Sequence, residues 1–146
     1  MSLLKRHISP ELANTLFLLE KETFVRDFDL PARSATEVSE FLKTSEIFLE
    51  QLHNKIVGFI AFDKAQSSTE IKLLVVKPSD QKKGIGTTLL NAVLTENVGN
   101  LIYLTVHPRN SVAISFYLKA GFTIACWIDN CYGDGQPRLR LEKNEK

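Results

Sequence analysis

The residues with the clearest chemical purpose stand between Val76 and Leu89, in the run V-K-P-S-D-Q-K-K-G-I-G-T-T-L. An apolar, strand-like segment meets Pro78. Gln81, Lys82 and Lys83 follow, and Gly84-Ile85-Gly86 then opens an amphipathic helix whose first turn carries Thr87 and Thr88. Glycine lets the backbone approach a ligand closely and adopt positive φ. The first turn of a helix has N–H groups without intrahelical partners and a partial positive charge. The two lysines add attraction and the two hydroxyls add donors. This is the chemistry of anion binding, and a pyrophosphate suits that number of donors. A Walker loop requires lysine after its second glycine, where Thr87 stands. A dinucleotide fingerprint requires a third glycine, where Leu89 stands. What remains is V-x-P-x-x-Q-x-x-G-x-G.

Other groups that bear chemistry are scattered. Glu70 lies on the strand leading into the glycine turn, and Tyr117 lies on a later helix preceded by Asn110. An acidic, aromatic loop carries Asp27, Phe28 and Asp29, and a late loop carries Asp129, Asn130, Tyr132 and Asp134. Acids there would suit a cationic amine. Cys126 and Cys131 are too close, and too far from any histidine, for a zinc pattern. They read as two small apolar residues of a strand, and the absence of a disulfide framework suits a reducing compartment. His7, His53 and His107 read as surface or strand-end residues without a triad or metal partner, and no metal site is expected.

The elements that must position these groups are legible from periodicity. A short strand near the N-terminus precedes a helix with Ser9 as N-cap, Pro10 at its first position and Leu12, Leu16 and Leu19 on one face. Ser34 to Glu37 is a capping-box pattern ahead of Val38, Phe41 and Leu42, predicting a second helix. Two strands flank a turn at His53-Asn54, and a further strand over 69–77 ends at Pro78. A helix is predicted from about Gly84 to Glu96, a strand over 101–107, and a helix from Asn110 to a stop at Gly121. Two last strands are predicted, 122–132 and 137–143, with Trp127 in the core. The 146 residues, 44% hydrophobic and 24% charged, predict one domain over 1–146. A net charge of +1 gives no bulk basicity for nucleic acid, and no run of 18 apolar residues predicts a membrane span. With no signal peptide in view, a cytoplasmic protein is expected, as monomer or homodimer.

Two motifs together carry a resemblance. The glycine turn matches [QR]-x-x-G-x-[GA], and "NSVAISFYLKAGF" matches N-x-x-A-x-x-x-Y-x-x-x-G-F. At this separation, and in this order of elements, most of the chain resembles the GNAT family of N-acetyltransferases. The tail "CYGDGQPRLRLEK" is similar to the C-terminal hairpin of the branch that acetylates peptide N-termini, including those of ribosomal proteins. The resemblance implies an α/β fold around a mixed, mostly antiparallel sheet of about seven strands. Its parallel strands 4 and 5 splay apart, and about four helices flank it. It implies acetyl-CoA as cofactor, with pantetheine paired to the backbone of Leu74, Val75 and Val76. The pyrophosphate would rest on the N–H groups of Gln81, Lys82, Lys83, Gly84, Ile85, Gly86, Thr87 and Thr88. Asn110 would touch the pantetheine arm or order its loop, and Phe116 would line the coenzyme. Tyr117 would serve the departing sulfur, Glu70 would be the general base, and the Val76 N–H would meet the thioester oxygen if the strand bulges. Asp27, Phe28, Asp29 and Tyr132 would meet the acceptor, a small-molecule or peptide amine. An α-amine titrates near pKa 8, whereas a lysine near 10.4 leaves roughly one in a few thousand neutral at pH 7, so a base matters more for lysine. The alternative is a silent acyl-CoA-binding sensor that keeps the cradle and has lost turnover.

Overall fold

The computed structural model describes residues 2–4, 9–23, 40 and 42–144. Strands β1 (Ser2–Leu4), β2 (Glu46–Leu52), β3 (Lys55–Lys64), β4 (Ser68–Val76), β5 (Leu101–Val106), β6 (Thr123–Ile128) and β7 (Arg138–Asn144) form a single sheet in the order β1-β2-β3-β4-β5-β7-β6. Among the described strands only β4 and β5 pair in parallel. Three helices have described bounds: α1 (Pro10–Thr23), α2 (Ile85–Glu96) and α3 (Ser111–Lys119). The predicted helix after Ser34 lies largely outside the described residues, although Glu40 and Leu42 are helical.

Local chemistry sets these elements as expected. The Leu12 N–H donates to Ser9 Oγ at 3.1 Å, and Leu16 and Leu19 are buried. His53 and Asn54 both take positive φ, the geometry of a tight two-residue hairpin. The Asn110 side chain accepts the Ala113 N–H at 3.2 Å and caps α3, and Gly121 turns the chain at φ +97°.

The core is two-sided. Leu16 and Leu19 of α1 pack with Ile47, Leu49, Phe59, Ala61, Leu73 and Val75 on one face of the sheet. On the other face Ile85, Leu89, Leu90, Val93 and Leu94 of α2 and Tyr117 of α3 pack on Ile60, Phe62, Ile71, Ile102, Leu104 and Leu141. Each fully buried side chain of this size contributes about 1.5–3 kcal/mol. Thr69 Oγ1 donates to Asn97 Oδ1 at 2.9 Å, and the Asn97 amide donates to Val93 O at 2.7 Å, so a buried polar pair pins the end of α2 to β4.

The fold departs from the sequence pattern at three places. Strict alternation places Ile71, Leu73 and Val75 on one face of β4, but a bulge at Lys72 shifts the register with β3, because Phe62 pairs Ile71 and Ala61 pairs Leu73. Ile71 therefore joins the α2–α3 core and Leu73 the α1 core. The strand predicted over 122–132 stops at Ile128, since Asn130 takes positive φ and starts a turn. Trp127, expected in the core, is 56% exposed with its indole N–H on Asp129 at 2.8 Å, and Cys126 is exposed as well. Both sit on the edge strand β6, beside β7, and the residues of β6 are almost all exposed.

Candidate active site

The helix α2 begins at Ile85, with Gly84 as a left-handed N-cap at φ +84°, one residue later than the sequence suggests. Two residues before it, Lys82 also takes positive φ, +64°. A side chain in that region costs of order 1 kcal/mol, a strain that clusters at functional sites. Alternating hands of backbone turn successive N–H groups inward to make an anion-binding nest. Among the described residues, the N–H groups of Lys82, Lys83, Gly84, Ile85, Gly86 and Thr87 find no main-chain acceptor. Two of the groups placed in the cradle from sequence are occupied elsewhere. The Gln81 N–H bonds Pro78 O at 3.4 Å, and the Thr88 N–H and hydroxyl both bond Gly84 O at 3.0 Å. Gln81 acts instead as a brace, since its side-chain amide donates to Val76 O at 3.0 Å and ties the loop to the end of β4. Lys83 is held by Asp80 at 2.9 Å, and that ammonium holds the Asp80 carboxyl below its usual range. Lys82 is exposed and pairs with no carboxylate among the described residues.

Beside the cradle the sheet opens. Pairing between β4 and β5 ends at Glu70–Tyr103, although both strands continue, so the β5-side edge of Leu74, Val75 and Val76 has no strand partner among the described residues. Leu74 and Val76 pack toward α2 and α3, where a Cβ on Gly86 would sit 3.5 Å from the Phe116 ring and 3.8 Å from Val76. Phe116 thus walls the start of α2, and it meets Tyr117 edge-on with centroids 5.1 Å apart. Tyr117 is buried, also edge-on to Phe122 at 5.3 Å, and burial pushes its phenol far up. No hydrogen-bond partner of its hydroxyl is found among the described residues. Asn110 spends its side-chain oxygen on the α3 cap and so orders the helix that carries Phe116 and Tyr117.

Glu70 and Tyr117 lie on opposite faces. Thr69 and Ile71 point to α2, so Glu70 between them points to the α1 face, where its carboxylate lies 3.5 Å from Lys72. Tyr103 and Thr105 of β5 share that face, as do Arg138, Arg140 and Glu142 of β7, because their neighbours Ile102, Leu104 and Leu141 fill the opposite core. Tyr132 is half-exposed, its hydroxyl hydrogen-bonded to Thr105 Oγ1 and its ring under the Arg138 guanidinium at 4.6 Å. Asp27, Phe28 and Asp29 lie outside the described residues. The acids of the late loop prove to be internal braces. Asp134 accepts the Gln136 N–H at 2.9 Å and the Arg138 guanidinium at 3.0 Å, which hold its carboxyl below the usual range. Asn130 accepts the Gly135 N–H.

Sequence reasoning missed two residues here. Arg138 is buried, and its place was signalled by the alternation Arg138-Leu139-Arg140-Leu141-Glu142 once the leucines face the core. His107, read as a surface or strand-end residue, is buried; its Nδ1 accepts the Arg109 N–H at 3.0 Å, so Nε2 carries the proton and donates to Gln136 Oε1 at 3.0 Å. It joins the loop before α3 to the late hairpin. Among the described residues no group of three or more His, Cys, Asp or Glu could hold a metal, and no helix is long and apolar enough to cross a membrane.

Known proteins share this architecture. Residues 13–122 match the Acetyltransferase (GNAT) family. A curated Bacillus subtilis (strain 168) protein, UPF0157 protein YqkA, is 33% identical over 104 residues, 70% of this chain, and the chain spans only 30% of that protein's length. Among solved structures, the ribosomal-protein-S18-alanine N-acetyltransferase from Escherichia coli superposes with a TM-score of 0.79 at 18% identity, over 97% of this chain and 91% of that one. A Bacillus anthracis str. Ames protein assigned as a streptothricin acetyltransferase, solved in complex with acetyl coenzyme A, superposes with a TM-score of 0.62 at 24% identity, over 69% of this chain and 62% of that one.

Proposed function

The chain belongs to the acetyltransferase (GNAT) family, and from that premise we propose that it is an N-acetyltransferase moving an acetyl group from acetyl-CoA to a primary amine. The observation that carries this reading is the run of unclaimed N–H groups over 82–87, set where the β4–β5 fork opens. Acetyl-CoA supplies, when bound, a pyrophosphate for those donors and a thioester carbon open to attack by an amine. The residues present fit it. The nest offers more main-chain donors than a simple helix start, and the open edge of Leu74 to Val76 can pair an amide-bearing arm as an added strand would. Gly86 leaves the mouth of α2 clear, and Phe116 walls it.

The two faces divide the work. Tyr117, on the coenzyme side, donates a hydrogen bond to the sulfur. Its buried phenol keeps its proton, so it stabilises charge there rather than surrendering a proton. Glu70, on the other face, accepts the amine's proton directly or through a water. Tyr132, fixed by Thr105 and Arg138, meets the acceptor. A peptide N-terminus is the first acceptor to test, because its lower pKa asks least of Glu70 and because the late hairpin is similar to that of the peptide branch. Lysines and small amines follow. The test is release of free thiol from acetyl-CoA across short peptides, amino acids and amines. Acceptor-dependent release is expected. Coenzyme binding without release for every acceptor would leave only the silent sensor.

A further inference from the structure

Resting on the acetyl-transfer reading, we infer that Arg140 anchors the acceptor and that the acceptor carries a carboxylate near its reacting amine. The placement follows from register. Glu70 on β4 stands opposite Tyr103 on β5, and Thr105, two residues further on, stands opposite Arg140 on β7. Arg140 is thus level with the opening of the fork. It lies on the same face as Glu70, two strand spacings across and two residues further along, so roughly 12 Å separates their backbones.

Along β4, β5 and β7 on this face the carboxylates are engaged, and one guanidinium keeps donors to spare. Glu70 is engaged by Lys72 at 3.5 Å, Asp134 by Arg138 at 3.0 Å and Glu142 by Arg140 at 2.6 Å. Arg138 spends its fork on Pro137 O and Asp134, both at 3.0 Å. Arg140 differs. Only its Nε donates, to Glu142, while its guanidinium carbon lies 3.9 Å from the centre of the Tyr103 ring. Its two terminal nitrogens have no acceptor among the described residues. A guanidinium fixed at one edge and stacked on an aromatic ring has already lost much of its rotamer freedom. What remains of its fork matches the two oxygens of a carboxylate. The face therefore selects an amine that brings its own anion, rather than an amine drawn in by loop acids. The α-carboxylate of a free amino acid and the acidic side chain of a peptide share this chemistry.

The test uses matched acceptor pairs in the thiol-release assay. One pair is a free amino acid and its carboxamide. The other is an amidated tripeptide with Glu or Gln as its second residue. The inference predicts at least one pair whose carboxylate member has a kcat/KM about 10- to 100-fold higher, and the pair that shows it identifies the source. In Arg140→Gln that ratio falls to near one. In Arg140→Lys, which keeps the charge without the fork, it is intermediate. Because the ratio is read within each protein, a poorly folded variant lowers both members alike. The same pairs titrated by calorimetry with CoA present read the preference as a ratio of Kd values. Carboxylate-dependent binding without thiol release would sink the acetyl-transfer reading and leave Arg140 as the anchor of a carboxylate ligand. A wild-type ratio near one in both assays, or a ratio that survives in Arg140→Gln, overturns it.

Discussion

In the proposed reaction Tyr117 would serve as a hydrogen-bond donor to sulfur rather than as an acid. A free phenol is already about 1.5 units weaker as an acid than a thiol, and burial widens that gap. Tyr117→Phe should therefore lower kcat about 10- to 100-fold while KM for acetyl-CoA stays nearly constant, a split that steady-state kinetics in both substrates will read. Unchanged turnover would remove Tyr117 from the site. The same burial has a consequence for stability. The folded protein holds this proton more tightly than the unfolded chain, whose tyrosines titrate near about pH 10. The contribution is complete below that pH and declines as pH rises above it, because the unfolded state is the one that ionises. Denaturant midpoints taken at about pH 9 and about pH 11 should fall less in Tyr117→Phe than in the parent.

At the scale of elements, close packing and caps set the stakes. Gly58 of β3 is needed where it stands: a Cβ there would lie 2.9 Å from the Val75 carbonyl oxygen and press on Ile85 and Leu89 of α2. Gly58→Ala should destabilise by about 1–3 kcal/mol, measured as a shift in urea midpoint. Gly86→Ala meets nothing nearer than 3.5 Å and should leave that midpoint close to the parent. Asn110→Ala removes the α3 cap and should cost about 1 kcal/mol, with Asn110→Asp restoring it. These elements were legible because caps, glycine stops and apolar spacing are local signals. The bulge at Lys72 was not. Both faces of β4 are covered, so burial alternates without interruption along the strand even as its sidedness switches between Ile71 and Leu73. A one-residue insertion between two cores leaves no mark on the apolar pattern. Trp127 was misplaced for the converse reason: an apolar strand reads alike at the centre of a sheet and at its edge.

The whole molecule is a sheet with a fork at its centre, a main-chain nest at the mouth of the fork, and its two candidate catalytic side chains on opposite faces. The nest was legible because glycine spacing and a helix start fix it locally. The face proposed for the acceptor was not, because Glu70, Tyr103 and Arg140 come from three distant stretches that only strand register brings together. The most direct test of the nest as a coenzyme site is calorimetric titration of the protein with CoA and, separately, with pantetheine, which lacks the pyrophosphate. One-to-one binding of CoA is predicted, weakening at least about tenfold for pantetheine, because the donors over 82–87 then have no anion to hold. Equal affinity for the two, or no binding of CoA even at millimolar protein, would contradict it.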